Sequence, residues 1–287
     1  MSRVAISGFA SLDHVIVLDG AVTPGRTTTI LSRPREAWPR LGGGPAYVAQ
    51  ALVVGTQITA SPISWVGDDP EGASYAARLQ QAGVDASGLS AVAGGRTPAS
   101  VMAYDASGDC AVLYHPGIPG DIRLSDNQRA LIQRADWLCV TIGPLPATTA
   151  LLDLLRDDQR LAWIVKNDPR VMTDALRARL AARADVIFCN GSERGLLPAA
   201  TPRQIVIETR GATGAHFQCG DEGLLVPTTP IAVTDPTGAG DTFAGGVLSA
   251  LVQGETDLHV LGEAGHRAAR RLLAHRQSED PTGRPHG

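Results

Sequence analysis

The chain has 287 residues, a formal net charge of -4 and a pI near 6.0, so it is too long for a mini-protein and too balanced for a basic nucleic-acid module. Hydrophobic residues make up 44% but aromatics only 4%, and Gly (32) and Pro (19) are plentiful, the profile of an α/β domain with many tight loops. Without aromatic stacking platforms or a cationic groove, nucleic acid is not expected as a partner.

In chain order, short β-branched runs at 4–7, 63–66, 137–142, 163–165, 186–189 and 205–208 read as strands, several of them apolar throughout and therefore covered on both faces. Between and after them, 46–54, 71–82, 148–155, 173–181, 239–252 and 258–274 read as helices. This alternation predicts a doubly wound, mainly parallel sheet flanked by helices. Two stretches break the rhythm, 15–31 and 99–114, the latter folded about Ala106-Ser107-Gly108-Asp109; they read as hairpin-like strands forming a small β lid, with approximate limits 13–32 and 97–115. Residues 1–275 then make a single domain, and 276–287, polar with two prolines, a flexible tail.

Cys110, Cys139, Cys189 and Cys219 lie far apart with no C-x-x-C spacing, which suggests neither a disulfide framework nor a zinc site. The first residues enter a strand without the basic and apolar regions of a signal peptide, and no apolar run reaches the roughly 18 residues of a membrane span. A cytoplasmic protein with no membrane partner is the expectation.

The most informative stretch runs from Asp235 to Gly246, DPTGAGDTFAGG, following the strand-like 231–234 and opening an apolar helix. Small residues at 238–240 let backbone N–H groups converge at a helix N-terminus, where the macrodipole favours an anion. An ionised Asp241 at that terminus can accept a hydroxyl proton while a bound phosphoryl group takes up negative charge. The plainer reading is a tight glycine turn with Asp241 as a helix cap.

The string resembles the second signature of the ribokinase, or phosphofructokinase-B-type, carbohydrate kinase family, a pattern close to D-T-x-G-A-G-D. Further segments resemble that family in its order: Gly8 to His14, with Asp13 as the substrate carboxylate; Leu41 to Ala49, the Gly-Gly turn into a helix; Trp65 to Gly72 and Leu79 to Val84; the N-x-x-E of Asn190 and Glu193; and Thr209 to Gly214, the T-x-G-x-x-G nucleotide loop. The resemblance covers about residues 4–275. It implies a ribokinase-like fold and an ATP- and Mg2+-dependent kinase that phosphorylates a hydroxymethyl of a sugar. It also implies Asp241 as general base, with the N–H groups of Gly238, Ala239 and Gly240 as the anion hole. Asp13, Gly42, Gly43 and Tyr47 would bind the acceptor, and Asn190, Thr209, Gly211, Gly214 and Thr237 the nucleotide, while His266 on the late helix either lies near the adenine pocket or is a solvated helix residue. Glu193 and Asn190 would hold magnesium through water. Asp235 and Thr237 match one half of a monovalent-cation site, while the loop that supplies the other half is not recognisable after Ala274. A homodimer through the lids is also implied.

Departures keep alternatives open. Tyr47 stands where the family has Asn and either selects a different acceptor or packs against the lid. Gly143 falls where some relatives place an acid. Only 18 residues separate Asn190 from Thr209, which predicts a trimmed nucleotide side. His14 either contacts substrate or is structural, and Lys166 and Arg170 either face phosphates or serve as loop caps and surface charge. Arg96 either meets an anionic substrate group or is a surface charge. The competing functions are a nucleoside kinase of the same family and, from another class, a sugar- or nucleotide-binding protein that has lost turnover.

Overall fold

Alternate residues of β1 (Arg3–Ser7) serve two separate cores: Val4 and Ile6 pack with helices on one face of a sheet, and Ala5 with helices on the other. The chain is described here from a computed structural model over residues 2–33, 38–105, 109–199, 201–233 and 235–279. After β1 come β2 (Ser11–Leu18), β3 (Ile30–Ser32), β4 (Arg40–Gly42), α1 (Gly44–Val53), β5 (Thr59–Gly67), α2 (Pro70–Gln81), β6 (Leu89–Val92), β7 (Ala99–Tyr104), β8 (Cys110–His115), α3 (Asp126–Arg134), β9 (Trp137–Val140), α4 (Leu145–Leu154), β10 (Arg160–Ile164), α5 (Asp174–Arg183), β11 (Val186–Asn190), β12 (Ile205–Thr209), β13 (Ala215–Cys219), β14 (Glu222–Val226), α6 (Ala239–Val252) and α7 (Leu258–Glu279).

The main sheet has nine strands in the order β14-β13-β12-β11-β10-β9-β1-β5-β6, parallel except for the hairpin of β13 and β14 at one edge. The chain winds outward from β1 through β5 and β6, then crosses to β9 and winds the other way. The strand order therefore reverses between β1 and β9, and the crevice at the carboxyl ends there is where open α/β sheets take ligands. Helices α1, α2, α6 and α7 cover one face through Leu52, Leu79, Phe243, Val247 and Leu261; α3, α4 and α5 cover the other through Ile132, Leu151 and Leu180. Helix α3 is absent from the sequence reading because its apolar stripe is thin; its start is fixed by a capping box between Ser125 and Gln128.

Both segments that break the helix-strand rhythm belong to a second sheet, β3-β2-β7-β8, with β4 also paired to β2. The turn residues Ala106 to Gly108 lie outside the described residues. Two expectations need correction. Residues 231–233 are not a strand, since the sheet already ends at β14, and Thr234 lies outside the described residues. Helix α7 also runs past 274 to Glu279, because Arg276 is buried and bonded, so no tail begins at 276; residues 280–287 lie outside the described residues. The step from Asn190 to Thr209 is made without an α-helix among the described residues, and these two residues end as register partners in parallel strands. No described helix is long and apolar enough to cross a membrane.

Candidate active site

Helix α6 begins without a side-chain cap. Gly238 precedes it at φ 74° and ψ 0°, a left-handed conformation that a side chain would strain, and a Cβ there would stand 2.5–2.6 Å from the Tyr47 ring. Thr242 N donates to Gly238 O at 2.8 Å, and Ala239 N to Pro236 O at 3.0 Å. Ala239 is therefore committed within the turn and is not the free donor the sequence reading makes of it. Among the described residues, the N–H groups of Gly238, Gly240 and Asp241 have no intramolecular acceptor, and the last two lie where the helix dipole is positive.

Asp241 is 8% exposed. Lys166, two residues beyond β10, places Nζ 3.1 Å from Asp241 Oδ1 and donates to Oδ2 at 3.4 Å. The first approach makes an ion pair but not a hydrogen bond, so Oδ1 is buried with no hydrogen-bond partner. Burial pulls the Lys166 pKa down, but the Asp241 carboxylate, joined by Glu193 and Cys139, more than offsets it and the pKa is raised. Lys166 thus belongs to the site, not to the surface.

Glu193 borders the same pair. Its Oε2 accepts from Asn190 N at 2.9 Å, while Asn190 Oδ1 accepts from Glu193 N at 3.0 Å and from Ser192 Oγ at 2.7 Å. Burial raises the Glu193 pKa, against a smaller opposing pull from Lys166. The Asn190 amide oxygen is occupied by this turn, so Glu193 is the group suited to a hydrated magnesium ion, which keeps several waters and takes few carboxylates. No cluster of three His, Cys, Asp or Glu occurs among the described residues.

At the other end, Asp13 on β2 is 5% exposed; its Oδ1 accepts from Ser11 Oγ at 2.8 Å, and Ser11 Oγ lies 3.0 Å from Ser100 Oγ. Burial raises its pKa, with the serines pulling the other way. The carboxylate stands over Gly42, where any Cβ would collide with it; Gly43 then precedes α1 as its N-cap residue, and Tyr75 Oη donates to Gly42 O at 2.8 Å. Ser100 pairs in register with Tyr114, which places the phenol ring, 42% exposed, on the Asp13 face. His14 points to the opposite face, edge-on to Trp38 at 5.1 Å, and takes the structural reading.

Tyr47 is buried, with its ring beneath Gly238, and Arg276 Nη2 donates to its hydroxyl at 3.3 Å, so the ring supports the turn that opens α6. Asp235 is held by Arg40, by Tyr104 Oη at 3.2 Å and by Thr237 N at 3.0 Å, and Thr237 Oγ1 lies 2.7 Å from Tyr104 Oη. Thr209 ends β12, and Gly211 to Gly214 form the loop into β13, closed by Arg210 N to Gly214 O at 2.8 Å. His266 is a correction: it is buried, its Nε2 lies 3.0 Å from Val226 O, and its ring packs 5.0 Å from Phe243, so it joins α7 to β14 and α6 and is not open to a nucleotide. Gly143 leaves the loop after β9 without an acid, and Arg170 pairs with Asp168 at 2.7 Å. The backbone of Arg96 donates to Gly117 O at 2.8 Å. Sequence reasoning missed Arg40, Tyr104 and Arg276; only the last had a signal, the helical period of α7 continuing past Ala274.

Comparison with known proteins identifies the family. The chain is 28% identical over 258 residues to an ATP-dependent ribose-1-phosphate kinase of Halopiger xanaduensis, covering 87% of this chain and 84% of the relative. It is 25% identical over 271 residues to a nucleoside kinase of Methanothermobacter thermautotrophicus, covering 89% and 84%. The structure of Burkholderia thailandensis nucleoside kinase in complex with inosine superposes with a TM-score of 0.77 at 19% identity, covering 99% of this chain and 95% of that one. Residues 9–282 match the pfkB family carbohydrate kinase, and the chain belongs to that family.

Proposed function

We propose that this protein transfers the γ-phosphoryl group of ATP to a hydroxymethyl group of a small sugar or nucleoside, with Asp241 as general base. One observation carries the reading: the buried Asp241 carboxylate, ion-paired with Lys166 and with Oδ1 left without a hydrogen bond, lies at the same helix mouth as three N–H groups that have no acceptor among the described residues. A hydroxyl and a phosphoryl group satisfy both sets at once. The acceptor O–H proton passes to Asp241, the oxygen forms the new bond to the γ-phosphorus, and the bond to the β-phosphate oxygen breaks to release ADP.

Asp13 orients the acceptor through its carboxylate, held by Ser11 and given room by Gly42. Charge developing on the phosphoryl oxygens meets the N–H groups of Gly238, Gly240 and Asp241. As Asp241 takes the proton it loses its charge, and Lys166 is left to compensate the phosphoryl group beside it. Thr209, Gly211 and Gly214 form the nucleotide loop. Magnesium, where bound, would neutralise the phosphates, held through water by Glu193. The small sheet excludes water that would otherwise hydrolyse ATP.

Tyr114 favours a nucleoside over a free sugar, because a flat ring on the Asp13 face suits a base. The names of the relatives support both acceptor classes. The outer face of the small sheet exposes Leu113, Ile30 and Trp38, which supports a homodimer formed through it. ADP release is the test, measured with ATP against ribose, ribose 1-phosphate, fructose and nucleosides. Release with one class names the acceptor; thermal stabilisation by ligands without release would establish a binding protein instead.

A further inference from the structure

We propose that the Arg276 guanidinium is the resident cation of this kinase, standing under the phosphate turn where a monovalent metal ion would otherwise bind, so that turnover is independent of potassium. The inference rests on the kinase reading above. Asp235 and Thr237 supply the oxygens that suggest a monovalent-cation site, and in the structure those oxygens are taken. Arg276 Nη1 donates to Asp235 O at 3.0 Å and to Thr237 O, and lies 3.4 Å from Asp235 Oδ2. Nη2 turns to the Tyr47 hydroxyl. The other carboxylate oxygen of Asp235 accepts from Thr237 N and Tyr104 Oη, and Arg40 pairs with Oδ2. An inorganic ion would have to displace a guanidinium whose side chain is 4% exposed and bonded on both terminal nitrogens. The residues present do not fit a potassium ion; they fit the arginine.

A guanidinium suits the task better than a lysine would. Its charge is permanent and spread over a plane, and its fixed fork of donors can engage two carbonyls and a carboxylate together. The consequence reaches the chemistry through one peptide. The carbonyl of Thr237 points at Arg276, and in a trans peptide the N–H of the next residue points the opposite way. Arg276 therefore aims the Gly238 N–H away from itself, toward the open side of the turn, while Tyr47 supports the same glycine from beneath. Arg276 is a positioning residue for the anion hole.

The test uses the full chain and an acceptor that yields ADP. The wild-type rate is expected to stay within about twofold in potassium, sodium or tetramethylammonium chloride at equal ionic strength. Arg276→Ala is expected to lower kcat about 100-fold, the scale of losing one oxyanion donor, and to regain activity with potassium or with guanidinium, which can enter by the adjoining cavity of about 370 Å3 lined by Tyr47, Arg40 and Arg271. Crystals soaked in thallium acetate are expected to show no anomalous peak between Asp235 and Thr237 in the wild type and a peak in Arg276→Ala. Saturable potassium activation of the wild type, or thallium bound there, overturns the inference and leaves the kinase reading intact. Absence of ADP release with every acceptor sinks the kinase reading, and the thallium experiment still decides this one. Should Arg276→Ala fail to fold, Arg276→Lys and the wild-type salt series serve: full activity in Arg276→Lys with no potassium response would overturn the role given to the guanidinium fork.

Discussion

The ring of Tyr47 lies directly beneath Gly238, 2.5 Å from where a Cβ at that position would stand. Residue 238 is thus constrained twice, by a φ of 74° and by the ring. Gly238→Ala should cost about 2 kcal/mol of stability from backbone strain alone, read by urea unfolding, and should lower kcat by tilting the N–H groups. In a Tyr47→Ala background the same change should cost less, since only the strain remains. Equal costs in the two backgrounds would show that the ring does not define the turn.

Asp241 Oδ1 awaits a proton in the proposed reaction. Asp241→Asn should lower kcat about 1,000-fold with the affinity for a non-hydrolysable ATP analogue unchanged, measured by ADP release and by titration calorimetry. Turnover within tenfold of wild type would remove Asp241 from the role of base.

The acceptor carboxylate should reveal itself through pH. Burial raises the Asp13 pKa and the Ser11 hydrogen bond opposes that rise by favouring the ionised form. Removing the bond in Ser11→Ala should raise it further, so the acidic limb of kcat/KM for the acceptor moves to higher pH, with the ATP KM unaffected. An unmoved limb would separate Asp13 from acceptor binding.

His266 should act on stability alone. Burial lowers its pKa below the usual 6.5, so the unfolded chain binds a proton more readily than the folded one. The stability it contributes is present above that value and is lost as pH falls through the lowered one. The Tm gap between wild type and His266→Gln should narrow from pH 7.5 to pH 5, while the ATP KM at neutral pH stays unchanged. A raised ATP KM would return His266 to the nucleotide site.

The exposed face of the small sheet should govern association. Leu113 is 68% exposed and pairs in register with Val101 beside Ile30 and Trp38. Leu113→Glu should shift a dimer to monomer in light scattering after size exclusion. A wild type that is monomeric at micromolar concentration would dismiss the dimer.

Much of this molecule could be read from order and spacing along the chain. Strands apolar on both faces announce a covered parallel sheet, and 239–252 is a helix in both sequence and structure, because glycine turns and apolar periodicity act within a few residues. Asp241 and the glycines of its turn stood out for that reason, whereas Asp13 was singled out only by the order of segments that resemble the family. What the tertiary structure alone decided are meetings between distant segments. Lys166 pairs with Asp241 across 75 residues, and Arg276 binds the carbonyl of Asp235 across 41. Tyr47, unusual in sequence, gained a role only when α1 brought it under residue 238, and Ala239 lost one when its N–H closed on Pro236. Local geometry depends on neighbours in the chain, whereas the partner of a buried charge depends on which strand ends and helix termini the folded sheet brings to one crevice.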